Sequence, residues 1–251
     1  MTDLTGKTAL ITGSARGIGK AIALRYAMLG ANIVINYSSN TANGEQALKE
    51  VREHTGQAIA VQADISKAAD VDRLFAEAIE RFGSLDIVVA NAGLELLGTP
   101  ITDLSDEQID RMVNVNARGT LLTLQRAAKN IADNGRIIYI ASTALEGPFP
   151  GAGLYTATKA PGRFFAEVLA RETAERGITV NTIQPGPIDE AGVFIDSIPS
   201  DSPFRGLQAA GRIADRIGTP DDVADATEYL ASDLAAWVSG TTINVTGGLP
   251  Q

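Results

Sequence analysis

The chain has 251 residues, 45% hydrophobic and 20% charged, with a formal net charge of -9, no cysteine and one histidine. That length buries a substantial core and is commonly a single α/β domain. The acidic balance argues against nucleic acid and, less strongly, against anionic membranes or an acidic carrier protein, while the missing cysteines exclude disulfides, thiolate metal sites and cysteine nucleophiles. No apolar run reaches the roughly 18 residues of a membrane span, and residues 1–7 lack the shape of a signal peptide. A cytoplasmic protein with no membrane partner is therefore expected. His54 sits in a polar stretch and reads as a surface residue, so neither a histidine triad nor a metal site is expected.

In chain order, a short β-branched run over 7–12 is followed by Gly13, Ser14, Ala15, Arg16, Gly17, Ile18 and Gly19, and then by a helix-like run over 20–29. Strand, glycine turn and helix in this order allow close backbone approach, and the positive helix end attracts a pyrophosphate. The spacing is not G-x-G-x-x-G, so that fingerprint does not apply. The next strand, 31–36, ends in Asn36, Tyr37, Ser38 and Ser39. An acidic residue there would hold the ribose hydroxyls of NAD. None is present to repel a 2′-phosphate, and Arg16 is available to attract one, so NADP(H) is favoured over NAD(H).

A polar helix over about 41–55 leads to strand 58–64, which ends at Asp64 beside Ile65. A helix with Val71, Leu74, Phe75, Ala78 and Ile79 at helical spacing then leads to strand 85–90 and the turn Asn91, Ala92, Gly93. A long helix is expected over about 105–132, with Asn116 inside it. Strand 136–142 follows, then a helix to about 176, and strand 178–184 before Pro185 and Gly186. Residues 187–212, rich in proline and glycine and including Ile188, read as a mobile excursion over the site. A helix from Pro220 to about Ser232 and a seventh strand over 241–245 complete the chain. Strands alternating with helices call for a doubly wound parallel sheet with right-handed crossovers, whose ligands gather at the carboxyl ends of the strands.

The chemistry concentrates between Ser142 and Lys159. Ser142 ends a strand, and Tyr155 and Lys159, four residues apart, share one helical face. A nearby cation favours the phenolate, so Lys159 is expected to lower the Tyr155 pKa and make the tyrosine usable as acid and base. Ser142 would hold a substrate oxygen beside it.

These residues together resemble the short-chain dehydrogenase/reductase family, from about residue 5 to residue 248. Residues 12–19 are similar to its T-G-x-x-x-G-x-G loop, 91–93 to its N-A-G turn, and Tyr155 with Lys159 to its active-site pair. Ser142 stands thirteen positions before the tyrosine, Asn116 matches the asparagine of the fourth helix, Asp64 the adenine-binding residue, and 181–186 the segment beside the nicotinamide. The resemblance implies a Rossmann-type seven-stranded sheet, a homotetramer built on two long helices, and hydride transfer between nicotinamide and a carbonyl or alcohol. Tyr155 would protonate the carbonyl oxygen, Ser142 would bond to it, Lys159 would also bind the nicotinamide ribose, and Asn116 would hold a water that replenishes the proton. The sequence departs from the family at Asp189–Glu190, where a threonine is frequent, at Pro161, and at Thr246, which stands before the Gly247–Gly248 pair.

The first functional reading is an NADP(H)-preferring reductase of a hydrophobic ketone. Substrate contacts are expected from Leu94, Glu95, Leu96, Glu146, Pro148, Phe149 and Phe194. The alternatives are reduction of a 3-oxoacyl group on acyl carrier protein, for which Arg126, Lys129 and Arg171 would form a basic patch, and a non-enzymatic dinucleotide sensor, which the presence of Ser142, Tyr155, Lys159 and Asn116 disfavours.

Overall fold

The computed structural model describes residues 2–55, 57–147 and 149–248. Seven strands form its centre: β1 (Thr8–Ile11), β2 (Asn32–Tyr37), β3 (Ala58–Gln62), β4 (Ile87–Ala90), β5 (Arg136–Ile140), β6 (Thr179–Pro185) and β7 (Thr242–Val245). All pair in parallel, in the order β3-β2-β1-β4-β5-β6-β7. Residues of β1, β4, β5 and β6 are buried throughout. Such strands carry near-continuous apolar runs because helices cover both faces of the sheet.

The two faces sort by alternation along each strand. Ala9 and Ile11 of β1 and Ile33 and Ile35 of β2 face one cluster, where Ile22 and Tyr26 of α1 (Gly17–Met28), Val51 of α2 (Thr41–Arg52) and Leu230 of α9 (Pro220–Ala231) pack. Leu10 and Val34 face the other, with Leu74 and Phe75 of α3 (Ala68–Phe82), Leu124 of α5 (Thr120–Asn130) and Ala166 of α6 (Gly153–Glu172). Two buried phenols inside these layers are partnered: the Tyr26 hydroxyl donates to the Thr227 carbonyl and the Tyr139 hydroxyl to the Lys159 carbonyl. Gly162 admits that second contact, since a Cβ there would stand 2.4 Å from the Tyr139 ring.

The structure corrects two expectations. The helix expected over 105–132 is α4 (Asp106–Met112), then a π-helical segment (Val113–Gly119), then α5. The sequence Val113-Asn114-Val115-Asn116 holds poor helix formers, and the buried Asn116 amide is engaged with Leu94 across the chain. A widened turn at such a position is a recurrent device at functional sites. The 187–212 excursion is folded, with α7 (Val193–Asp196) and α8 (Pro203–Ala209). Arg205 holds it: the guanidinium donates to the carbonyls of Phe194, Ile198 and Pro199, pairs with Asp189 and lies 5.1 Å over the Phe194 ring. The physical reason is that one side chain satisfies carbonyls that short helices leave open.

Candidate active site

The carboxyl ends of the strands share one edge, and the sheet order reverses between β1 and β4, where α/β sheets open a crevice. A cavity of about 1970 Å³ opens there. Gly13, Arg16, Gly17, Ile18, Gly19, Asn36, Tyr37, Ser38, Asp64, Ile65, Asn91, Ala92, Gly93, Ser142, Tyr155, Lys159, Gly186 and Ile188 all border it. The expected residues that do not border it are Ser14, Asn116 and Pro185. Ser14 is fully buried, donating to the Ile11 carbonyl and accepting from the Asn36 amide, and Pro185 is buried at the end of β6.

The cofactor loop is built by close approach. Gly13 has φ +64°, and a Cβ on it would stand 2.9 Å from Cα of Ala92; one on Gly19 would stand 2.5 Å from the Gly13 carbonyl oxygen and 2.6 Å from Nδ2 of Asn91. The Asn91 side chain donates to the carbonyls of Thr12 and Gly13, and Thr12 Oγ1 accepts from the amides of Asn91 and Ala92. The glycine loop and the N-A-G turn are thus one piece. Asn36 borders the cavity, but its amide is committed: Oδ1 accepts from Gly13 N and Nδ2 donates to Ala63 O. Asp64 accepts from both the amide and hydroxyl of Ser66, bonds that with nearby Lys67 outweigh burial and hold its carboxyl below the ordinary range.

No side chain caps the first-turn amides of α1, and Gly17, Ile18 and Gly19 line the cavity. That is the arrangement of an anion site at a helix N-terminus. The loop has no room for a Cβ where a pyrophosphate would approach, and β2 ends without a carboxylate, so these residues fit a dinucleotide.

The catalytic candidates converge. Tyr155 and Lys159, both buried, stand in the first turns of α6, and Ser142 follows β5. Lys159 Nζ donates to the Ile140 carbonyl at 3.0 Å. A Cβ on Gly93 would lie 2.9 Å from Nζ of Lys159 and 3.3 Å from Oδ1 of Asn116, which places both side chains against the N-A-G turn. Pro161 leaves α6 continuous from Gly153 to Glu172.

Two of the expected site residues have further neighbours in this geometry. Burial raises the Tyr155 pKa well above its ordinary value, the Glu95 carboxylate adds to the rise, and the Ser142 hydroxyl opposes it. Burial lowers Lys159 to about 8, against the pull of Glu95. The physical reason is desolvation, which penalises the charged form of both groups. Asn116 is likewise committed, its Oδ1 accepting from Leu94 N at 2.7 Å and its Nδ2 donating to Leu94 O and Thr158 Oγ1. Its side chain clamps the start of the substrate wall.

Among expected substrate contacts, Leu94, Glu95, Glu146, Phe149 and Phe194 border the cavity. Leu96 packs instead around Met112, Ala144 and Tyr155, and Leu97 takes the wall position. Glu146 is held by Gln184 and Arg163. Pro148 lies outside the described residues. Arg16, expected at a phosphate, makes a two-pronged ion pair with Asp196 of α7, at 2.5 and 2.8 Å. Arg126, expected in a carrier patch, pairs with Asp72. No local sequence signal marked Asp196, whose partner Arg16 is distant in the chain, or Arg205, whose partners are carbonyls and a carboxylate within its own segment.

Comparisons with known proteins agree with this geometry. A family model described as enoyl-(acyl carrier protein) reductase matches residues 13–250. An uncharacterized oxidoreductase of Methylorubrum extorquens is 38% identical over 249 residues, covering 99% of this chain and 100% of the relative. A short-chain dehydrogenase from Burkholderia cenocepacia, solved in complex with NADP, superposes with a TM-score of 0.89 at 36% identity, over 98% of each chain. The angucycline C-6 ketoreductase LanV with bound NADP superposes with a TM-score of 0.90 at 33% identity, over 98% of this chain and 96% of that one.

Proposed function

The chain belongs to the short-chain dehydrogenase/reductase family of nicotinamide-dependent oxidoreductases, and we propose that it transfers hydride between NADP(H) and a hydrophobic ketone or its secondary alcohol. The observation that carries this reading is the convergence of Ser142, Tyr155 and Lys159 on the cavity that the glycine loop also borders. A bound nicotinamide supplies or accepts the hydride. Tyr155 gives its phenolic proton to the carbonyl oxygen as negative charge develops there, and Ser142 donates a hydrogen bond to the same oxygen. Donors fixed where charge appears stabilise the transition state more than the ground state. A phenol kept neutral by burial holds the proton that reduction requires, and passing it to a nascent alkoxide, the stronger base, is downhill. Lys159 faces the cofactor side of the cavity, and Asn116 is a positioning residue acting through Leu94.

Support for NADP(H) comes from the carboxylate-free end of β2, from Arg16 at the cavity rim, and from the NADP bound to the LanV and Burkholderia relatives. Support for a hydrophobic ketone comes from Leu97, Phe149 and Phe194 in the wall and from the ketone-reducing activity named for LanV. We include in this reading a cytoplasmic location and a homotetramer; the assembly is supported by α6, which leaves Phe164 and Val168 each 55% exposed, and by Trp237, which is 99% exposed. Light scattering that returned a monomer would remove the tetramer.

The direct test is oxidation of NADPH and NADH against a panel of aryl and cycloalkyl ketones by the wild type and by Tyr155→Phe. The variant removes only the ionisable hydroxyl. Turnover of the best ketone is expected to fall by at least about 10³-fold, within the reach of a lost general acid; ketone reduction that survives intact rejects the mechanism.

A further inference from the structure

On the substrate side of the cavity, a carboxylate stands among apolar side chains. From Gly93, which lies against Nζ of Lys159, the chain runs through Leu94, fixed on both sides by Asn116, to Glu95. Glu95 borders the same cavity as Tyr155 and Ser142, among Leu97, Phe149, Val193 and Phe194. Glu95 is exposed where the cavity opens. Its Oε2 accepts from the Val193 amide at 2.9 Å, the single hydrogen bond that it makes among the described residues. A Cβ on Gly192 would stand 2.2 Å from that oxygen, so glycine is the residue that lets α7 approach it. A carboxylate has about four acceptor sites, and this one uses a single site. The rest face the space that a ketone must occupy.

Resting on the ketone-reductase reading above, we infer that Glu95 determines substrate specificity: it accepts a hydrogen bond from a neutral donor, a hydroxyl on the ketone's carbon skeleton, and rejects ketones that carry an anion there. A substrate hydroxyl can donate to an open acceptor site of this carboxylate where an ether cannot. Burial already holds the Glu95 carboxyl above its ordinary range, although the Val193 amide and Lys159 pull it down. Lys159 is a cation close enough to act on Glu95, so a cationic substrate would meet repulsion from it as well as attraction to Glu95. A substrate carboxylate would face the Glu95 charge directly, and juxtaposed like charges are an ordinary means of excluding a competitor.

The experiment measures kcat/KM with NADPH for the monohydroxy-1-tetralones in all ring positions, their methyl ethers and their carboxylate counterparts. The enzymes are the wild type, Glu95→Gln and Glu95→Leu, with NADPH binding by fluorescence as the check on folding. For at least one position the wild type is expected to prefer the hydroxy ketone over its ether by about tenfold or more, the value of a hydrogen bond to a charged acceptor. Glu95→Gln, which keeps an acceptor oxygen, retains much of that ratio, and Glu95→Leu loses it. Rejection of the carboxylate ketone relaxes by about tenfold in Glu95→Gln, where the charge alone is gone. A purely structural role would change all ketones together and leave these ratios fixed. Wild-type turnover with ratios unmoved in both variants overturns the role of Glu95 and leaves the ketone-reductase reading standing. No turnover of any tetralone, substituted or plain, overturns both.

Discussion

The floor of the cavity and the segment that covers it are held by different forces. In the floor, the glycine loop, the N-A-G turn and the start of α6 are held by buried and part-buried hydrogen bonds and by glycines packed against backbone, as with Lys159 on the Ile140 carbonyl, Gly19 on the Gly13 carbonyl and Asn91 on both loop carbonyls. In the covering segment, 187–212, the ties are Arg205 to Asp189, Arg16 to Asp196, and the Glu95 carboxylate to the Val193 amide. Both partners of the Arg16–Asp196 pair are about half exposed, at 52% and 50%. Buried close packing has no alternative arrangement at similar energy, whereas exposed charge can change partner at little cost. The molecule therefore keeps its reacting groups rigid and its cover adjustable.

The contrast is broken most severely in the floor. Gly19→Ala forces a methyl to within 2.5 Å of the Gly13 carbonyl oxygen, and is expected to cost about 3 kcal/mol of stability, the upper range for overpacking, with loss of dinucleotide binding. Urea denaturation and a cofactor titration check it; a variant as stable as the wild type would show that the loop is not rigid.

Lys159 provides the next test because it shows the floor's cost. Its ordinary pKa of 10.5 falls to about 8 through burial. Below about pH 8 both folded and unfolded chains hold that proton, and the folded chain bears a desolvated cation. Between about 8 and 10.5 the unfolded chain binds more protons, so stability rises with pH across that window. Lys159→Met is accordingly expected to abolish turnover yet stabilise the protein by about 2 kcal/mol at pH 7, since each tenfold loss of proton affinity is worth about 1.4 kcal/mol and the bond to Ile140 is lost. The gain should shrink steadily as pH is raised toward 10.5. A pH-independent gain, or a loss at pH 7, would contradict the buried-cation account.

The smallest global effect belongs to the cover. Arg16→Ala removes a half-exposed pair and is expected to lower stability by under about 1 kcal/mol. It should nonetheless weaken NADPH relative to NADH by about tenfold, the value of a charge-assisted contact. Equal weakening of the two cofactors would detach Arg16 from phosphate recognition and leave it only the tie to Asp196.

How far the sequence could be read follows from the same distinction. The strands β1, β4, β5 and β6 were legible because helices bury both their faces and leave continuous apolar runs, and the all-parallel sheet follows from their alternation with helices. The loop at 13–19, the 91–93 turn, Ser142 and the Tyr155–Lys159 pair were legible because strand ends and helical spacing fix them locally. Other features were not. The π-helical turn at 113–119 depends on Asn116 meeting Leu94, and the order of 187–212 depends on Arg205 reaching carbonyls that its own neighbourhood does not identify.

The order of residue types along the chain thus determined the strands, the helices and which side chains stand at the carboxyl edge, since those are set by periodicity and by the short reach of a turn. Tertiary structure alone decided that burial would push Tyr155 up and Lys159 down, that Asn116 would spend its amide on Leu94, and that the Val193 amide would meet the Glu95 carboxylate. Protonation and hydrogen-bond commitment depend on what surrounds a group in space, and those surroundings come from segments far apart in the chain.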